Sequence, residues 1–295
     1  GSTVSGRAGS PVSPVSVTTT ARGLAMRNLG KSGEPMERWR PMPDKQPALP
    51  VSNRLLSALP APVYERLQPD LQLVPLDLGE VIYEARETLS HVYFPSSAIV
   101  SLLYTMENGS TAEMGIVGCD GVVGIAVFMG GDTTPNRAVV QSAGESLRIP
   151  LAPFRAELRR TSELHRLLLL YTQALLTHMS QSAVCNRLHS LEQRLCRWLL
   201  MSHDRLELDE LTMTQELMAT ILGVRREGVS VVAHRLQEAG LIRYKRGHIK
   251  IIDRTGLETA VCECYQVVKA ECDRLLPYRI GGPVAAKTMA SSAFV

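Results

Sequence analysis

The chain has 295 residues, 45% of them apolar, and a formal net charge of +3. That length allows two domains with real cores, and the charge is too small for wholesale coating of a polyanion. No apolar run reaches the ~20 residues of a bilayer-spanning helix; the longest candidate is Leu167-Leu168-Leu169-Leu170-Tyr171.

The start of the chain shows no basic stretch leading into an apolar signal segment. Six cysteines (119, 185, 196, 262, 264 and 272) are scattered without a framework. Both features point to a reducing cytoplasm, with no membrane as partner.

Residues 1–50 are rich in Ser, Thr, Pro and Gly and poor in large apolar side chains. Such a stretch cannot offset its ordering entropy and is expected to be a disordered tail. Residues 51–59 and 63–67 read as short helices separated by Pro60. Over 71–150 the pattern changes to short β-type runs: 71–76, 81–83, 91–94, 99–104, 111–117, 138–142 and 147–150. Turn signals separate them, Asn108-Gly109 most plainly, and the spacing predicts an antiparallel barrel or roll.

Ser162 is placed to open a long helix through about Val184. Leu164, Leu168, Tyr171, Leu175, His178, Ser182 and Cys185 recur at alternating four- and three-residue steps. That is a coiled-coil seam, and it predicts a dimer spine roughly 35 Å long. A second amphipathic helix over 186–202 is expected to brace the C-terminal unit from behind. Residues 204–211 read as an acidic connector.

The most informative stretch is Leu211 to Gly240. Thr212 or Thr214 is placed to cap a helix, and Gly223 to end it in a left-handed turn. Ala219, Gly223 and Val229 have the small, turn and buried positions of a helix-turn-helix, supported by Met218, Leu222, Val224 and Val232. Such a unit lays its second helix in the major groove of double-stranded DNA, with its N-terminal residues on base edges.

Those residues are Arg225, Arg226 and Glu227. Arg can donate twice to guanine, and Glu can accept from cytosine. Residues 241–252 then read as a β-hairpin wing. From Arg225 to Lys250 there are seven Lys or Arg against two acids. Thr214, Arg235, Lys245 and Arg246 are the expected phosphate contacts. A final helix is expected over 257–275, then a loose tail over 277–295.

Taken together, residues 51–253 resemble the Crp/Fnr family of bacterial transcription regulators. The most specific match is TQELMATILGVRREGVSVVAHRLQEAGLI, Thr214 to Ile242. The resemblance implies an α+β chain. Its parts would be a cyclic-nucleotide-binding-like jelly roll (51–160), a dimerisation helix (161–186) and a winged helix-turn-helix (187–276). It implies a homodimer on a palindromic site, with RNA polymerase as a further partner. It also implies that Arg226 and Glu227 read bases and that Gln215 joins the phosphate contacts. Arg225 departs from the pattern, where a small capping residue is usual.

In the family's nucleotide receptors a Glu holds the ribose and an Arg the cyclic phosphate. Here the matching cradle is Gly124, Ile125, Asn136, Arg137 and Ala138. Ile125 stands at the Glu position and Asn136 at the Arg position. Arg137 is one residue out of register and so is expected on the opposite face of its strand. The family-type response to cyclic AMP is therefore not expected, and an effector of other chemistry stays open.

An iron-sulfur subtype would need several N-terminal cysteines, whereas the first cysteine is Cys119. Cys262 and Cys264, two apart on the expected final helix, would face nearly opposite ways and act as packing residues. No metal and no cofactor is expected, and His91 reads as an ordinary polar histidine, not a haem ligand. The alternative function is a small-molecule receptor whose output is not DNA. An enzyme is disfavoured: His203, Asp204, Ser190 and Cys185 lie on helices without a nucleophile turn or oxyanion motif.

Overall fold

In the computed structural model, residues 53–206 and 210–278 are described. The tail expected over 1–50, most of the tail expected over 277–295, and residues 207–209 of the connector lie outside the described residues.

Helix α1 (Arg54–Ser57) is opened by Asn53, whose side-chain oxygen accepts from the Leu56 amide at 3.1 Å. The Asn53 amide donates to the carbonyls of Pro95 and Gly121 at 2.8 and 2.9 Å. One buried Asn thus caps the helix and pins it to the sheets behind. Helix α2 (Ala61–Leu67) follows, with a proline in its first turn, where the missing N–H leaves no gap.

Strands β1 (Gln72–Leu76), β2 (Val81–Tyr83), β3 (His91–Pro95), β4 (Ile99–Thr105) and β5 (Thr111–Val117) come next. A short helix α3 (Ala126–Met129) precedes β6 (Arg137–Ser142) and β7 (Gly144–Pro150). All pair antiparallel in two sheets, β1-β7-β3 and β2-β6-β4-β5. Phe94, Ile99, Val140, Leu147 and Ile149 fill the space between the sheets. The expected strands therefore all form, with ends shifted by three residues at most.

Helix α4 (Leu151–Arg160) rests on α2 through Arg66–Glu157 at 2.7 Å and leads into α5 (Ser162–Leu188). At 27 residues α5 is about 40 Å long. Its predicted dimer seam needs correction. Leu164, Leu168, Tyr171, Leu175, His178, Ser182 and Cys185 are all buried within the chain itself. The seam's periodicity records packing within the chain, on the jelly roll and on the C-terminal unit. The opposite stripe stays open: Leu169 is 49% and Leu176 55% exposed.

Helix α6 (Leu191–His203) opens with a reciprocal capping box between Ser190 and Gln193. The acidic connector is only partly a connector. Its end forms β8 (Glu210–Thr212), which pairs with the wing. Then come α7 (Gln215–Leu222), α8 (Arg226–Glu238), β9 (Ile242–Lys245), β10 (His248–Ile251), α9 (Arg254–Ala260) and α10 (Cys264–Leu275).

The single final helix expected over 257–275 is thus two, and the backbone turns extended at Val261. That bend corrects the reading of Cys262 and Cys264 as facing apart on one helix. Their sulfurs converge with that of Cys185 and a ring nitrogen of His189, all within 4.8 Å of one another. The divergence that made Cys262 and Cys264 poor partners for one shared metal is therefore absent. The C-terminal tail also begins anchored, since Tyr278 donates to the Asp120 carbonyl at 2.7 Å.

Two adjacent residues join the halves. Arg205 forms a buried pair with Asp120 of the β5–α3 loop at 2.7 Å. Asp204 accepts from Arg254 of α9 at 2.7 Å and from Tyr265 of α10 at 2.9 Å. The end of α6 is held from both sides by charge.

Candidate nucleic-acid interface

The turn between α7 and α8 is built locally. Thr214 caps α7, its hydroxyl accepting from the Leu217 amide at 3.2 Å. Gly223 ends α7 at φ +62°, a left-handed position that favours glycine. The Val224 amide then returns to the Ala219 carbonyl at 3.0 Å. Ala219 and Val229 are buried where the two helices meet.

The unit is also fixed from behind. Arg194 of α6 donates to the Leu222 carbonyl at the end of α7. Gly228 brings α8 close to α6: a Cβ there would lie 3.2 Å from Leu191. The first contact holds α7 to α6, and the second holds α8 to α6.

Arg225 precedes α8 in extended conformation and makes no side-chain cap, as the departure from the family pattern implies. Arg225, Arg226 and Glu227 are all exposed. They line a cleft of about 860 Å³ between the helix-turn-helix and the β4–β5 hairpin tip at Gly109–Thr111. The helix start therefore projects into open space beside a hairpin of the jelly roll. Gln215 is less free: its side-chain oxygen accepts from Ser230 of α8 at 2.7 Å, which ties the two helices and leaves its amide to donate. Arg235 is exposed further along α8.

The wing carries the densest charge. In the β9–β10 ladder Arg243 sits opposite Lys250, and Lys245 opposite His248. Arg243 and Lys250 thus set like charges directly across the ladder, which destabilises it. Together with Arg246 they line one open face of about 430 Å³. Among the described residues lining that face the one acid is Glu210 of β8, which pairs with His248 at 3.0 Å. The arrangement suits a phosphate backbone laid across the wing. β8 was not legible as part of it, because three residues in an acidic stretch carry no strand periodicity.

The expected ligand cradle lies elsewhere, on the jelly roll. Gly124 and Ile125 sit just ahead of α3. Asn136 is buried, and its amide donates to the Tyr83 hydroxyl at 3.1 Å. Burial pushes that hydroxyl's pKa up to about 12, with the Asn136 bond pulling the other way. Ala138 is buried with it, whereas Arg137 is partly open and pairs with Glu84 at 3.1 Å. Alternation along β6 thus puts Arg137 on the face away from Asn136 and Ala138.

The residues considered for nucleophilic chemistry are dispersed in structural tasks. Ser190 caps α6, Asp204 holds Arg254, and His203 also contacts Arg254. His91, on β3, shares its Nδ1 with the Ser90 hydroxyl at 2.9 Å. Among the described residues, no helix is long and apolar enough to cross a membrane.

Comparison with known proteins agrees with this geometry. Residues 193–260 match the model of the Crp-like helix-turn-helix domain, and residues 73–161 that of the cyclic nucleotide-binding domain. Among solved structures, FixK2 from Bradyrhizobium japonicum is similar at TM-score 0.57 and 17% identity, covering 65% of this chain and 98% of that one. The c-di-GMP-responsive global regulator CLP of Xanthomonas campestris is similar at TM-score 0.53 and 16% identity, covering 66% and 100%.

A CRP/FNR-family transcriptional regulator from Thermus thermophilus is similar at TM-score 0.52 and 21% identity, covering 64% and 97%. At such identities the likeness is one of fold. No curated protein matches the sequence. A cyclic nucleotide-binding domain followed by a Crp-like helix-turn-helix on this shared architecture makes the chain a member of the Crp/Fnr family of DNA-binding transcriptional regulators.

Proposed function

We propose that the chain acts as a homodimer on a palindromic DNA site, with Arg225, Arg226 and Glu227 of each copy reading base edges. Thr214, Gln215, Arg235, Lys245 and Arg246 hold the phosphates. What carries this reading is the exposed start of α8 next to a wing that gathers Arg243, Lys245, Arg246 and Lys250 on one open face. The two recognition helices would enter successive major grooves about 34 Å apart. RNA polymerase is the partner such a bound dimer would meet.

The dimer forms along the open stripe of α5, where Leu169 and Leu176 lie one heptad apart. Residues 51–160 then serve as the sensor-like part, α5 as the spine and residues 187–276 as the reader. In this reading the jelly roll does not answer to cyclic AMP. Its cradle offers Ile125 in place of a carboxylate, and its nearby cation is already engaged with Glu84.

Selection of bound fragments from genomic DNA tests the first part, with a palindromic consensus expected. Titration calorimetry with cyclic AMP tests the second. Micromolar or tighter binding would overturn it.

A further inference from the structure

The corner where α5 gives way to α6 holds a side-chain cluster that DNA reading does not use. We propose that Cys185, His189, Cys262 and Cys264 form a tetrahedral site for one zinc ion. The ion would clasp the end of α5 to the joint between α9 and α10.

The donors come from two distant places in the chain and converge. Cys185 lies in the last turn of α5, and His189 caps that helix. Cys262 and Cys264 flank the bend after α9. Cys185 Sγ lies 3.5 Å from Cys262 Sγ, and Cys264 Sγ lies 3.5 Å from His189 Nδ1. Zinc bonds of ordinary length set in a tetrahedron give sulfur–sulfur and sulfur–nitrogen edges of about 3.5 to 3.8 Å. No pair in the cluster exceeds 4.8 Å. A two-iron cluster would spread its ligands over two metal atoms and hold them wider apart.

The surroundings fit as well. The second ring nitrogen of His189, Nε2, faces the Glu263 carboxylate at 3.3 Å. That is the outer partner which fixes a ligating imidazole in the tautomer that frees Nδ1. The three cysteines are buried in a cluster of their own, joined by Val261 and separate from the main core. Three thiolates and an imidazole select a soft cation over calcium or magnesium. With four protein ligands the site is closed, which marks a structural ion. On binding, the three thiol protons leave to solvent and zinc takes their place.

The consequence is mechanical. His189 is followed directly by Ser190, which opens α6. An ion here would set the angle between the long helix and the DNA-binding unit.

Full-length protein purified under reducing conditions without chelator is expected to carry one zinc per chain by elemental analysis. Exchange for cobalt is expected to give the strong visible bands of tetrahedral cobalt with thiolate charge transfer. Cys262→Ser and Cys264→Ser should lower retained metal to background, while Cys196→Ala should not. Glu263 is exposed, so Glu263→Gln should fold normally and weaken zinc affinity roughly 10- to 100-fold.

The proposal fails if the unaltered chain neither retains zinc nor gives those cobalt bands. It fails equally if both serine variants retain the ion.

Discussion

Arg205 and Asp120 form a buried ion pair at 2.7 Å that ties the end of α6 to the jelly roll. Arg205 Nη1 also donates to the Met201 carbonyl at 2.7 Å, so the guanidinium is fixed from both ends. Breaking a buried pair strands the surviving charge, at about 3–5 kcal/mol. Asp120→Asn and Arg205→Met should each destabilise by that order in urea unfolding. Replacing both with apolar residues should cost less than the sum. Additive losses would show that the pair is not coupled.

Glu113 supplies a pH dependence. The Ser101 hydroxyl has one proton but faces two acceptors, Glu113 Oε2 and Gln141 Oε1. Burial pushes the Glu113 pKa from 4.5 to about 8, against the pull of Ser101 and Arg197. Between those values the folded chain holds a proton that the unfolded chain has lost. Stability should therefore fall as pH rises through that window, by at most about 1.4 kcal/mol per pH unit, and level off above it. Glu113→Gln should flatten the dependence in thermal melts taken across the window.

Arg226 and Lys245 are expected to differ in kind. Arg226→Ala should cost about 1–3 kcal/mol on the preferred site and relax one base position. Lys245→Ala should weaken all sequences alike and lower the salt slope by about 1. Binding assays on a matched set of sites at several salt concentrations separate the two. An unchanged consensus for Arg226→Ala would remove that residue from base reading.

The two faces of α5 give opposite expectations. Leu176 is exposed, so Leu176→Glu should leave stability nearly unchanged and weaken association of the proposed dimer. Leu175 is buried in its own chain, so Leu175→Ala should cost about 2–5 kcal/mol of stability and leave association of the folded chain intact. Sedimentation equilibrium together with urea unfolding would show the split. Dissociation by the Leu175 change alone would restore the first-predicted seam.

The winged helix and the strands of the jelly roll were legible in the sequence because their signals are local. Gly223 must be left-handed wherever that turn forms, and alternation such as Leu147, Arg148, Ile149 follows from the pleat of any half-buried strand. Likewise, the charge at Arg225 and Arg226 is a property of composition that no packing alters.

Three features were decided only by tertiary structure. The α5 seam has the period of a coiled coil, but a buried face has the same period whether its partner is a second copy or the chain's own sheet. Glu210–Thr212 became a strand because β10 offered it an edge. Cys262 and Cys264 came to face Cys185 and His189 because the helix broke between Ala260 and Cys264. Periodicity reports which residues must be covered or kept apart within one element. What covers them is a contact between residues distant in the chain, and it is set when the whole core packs.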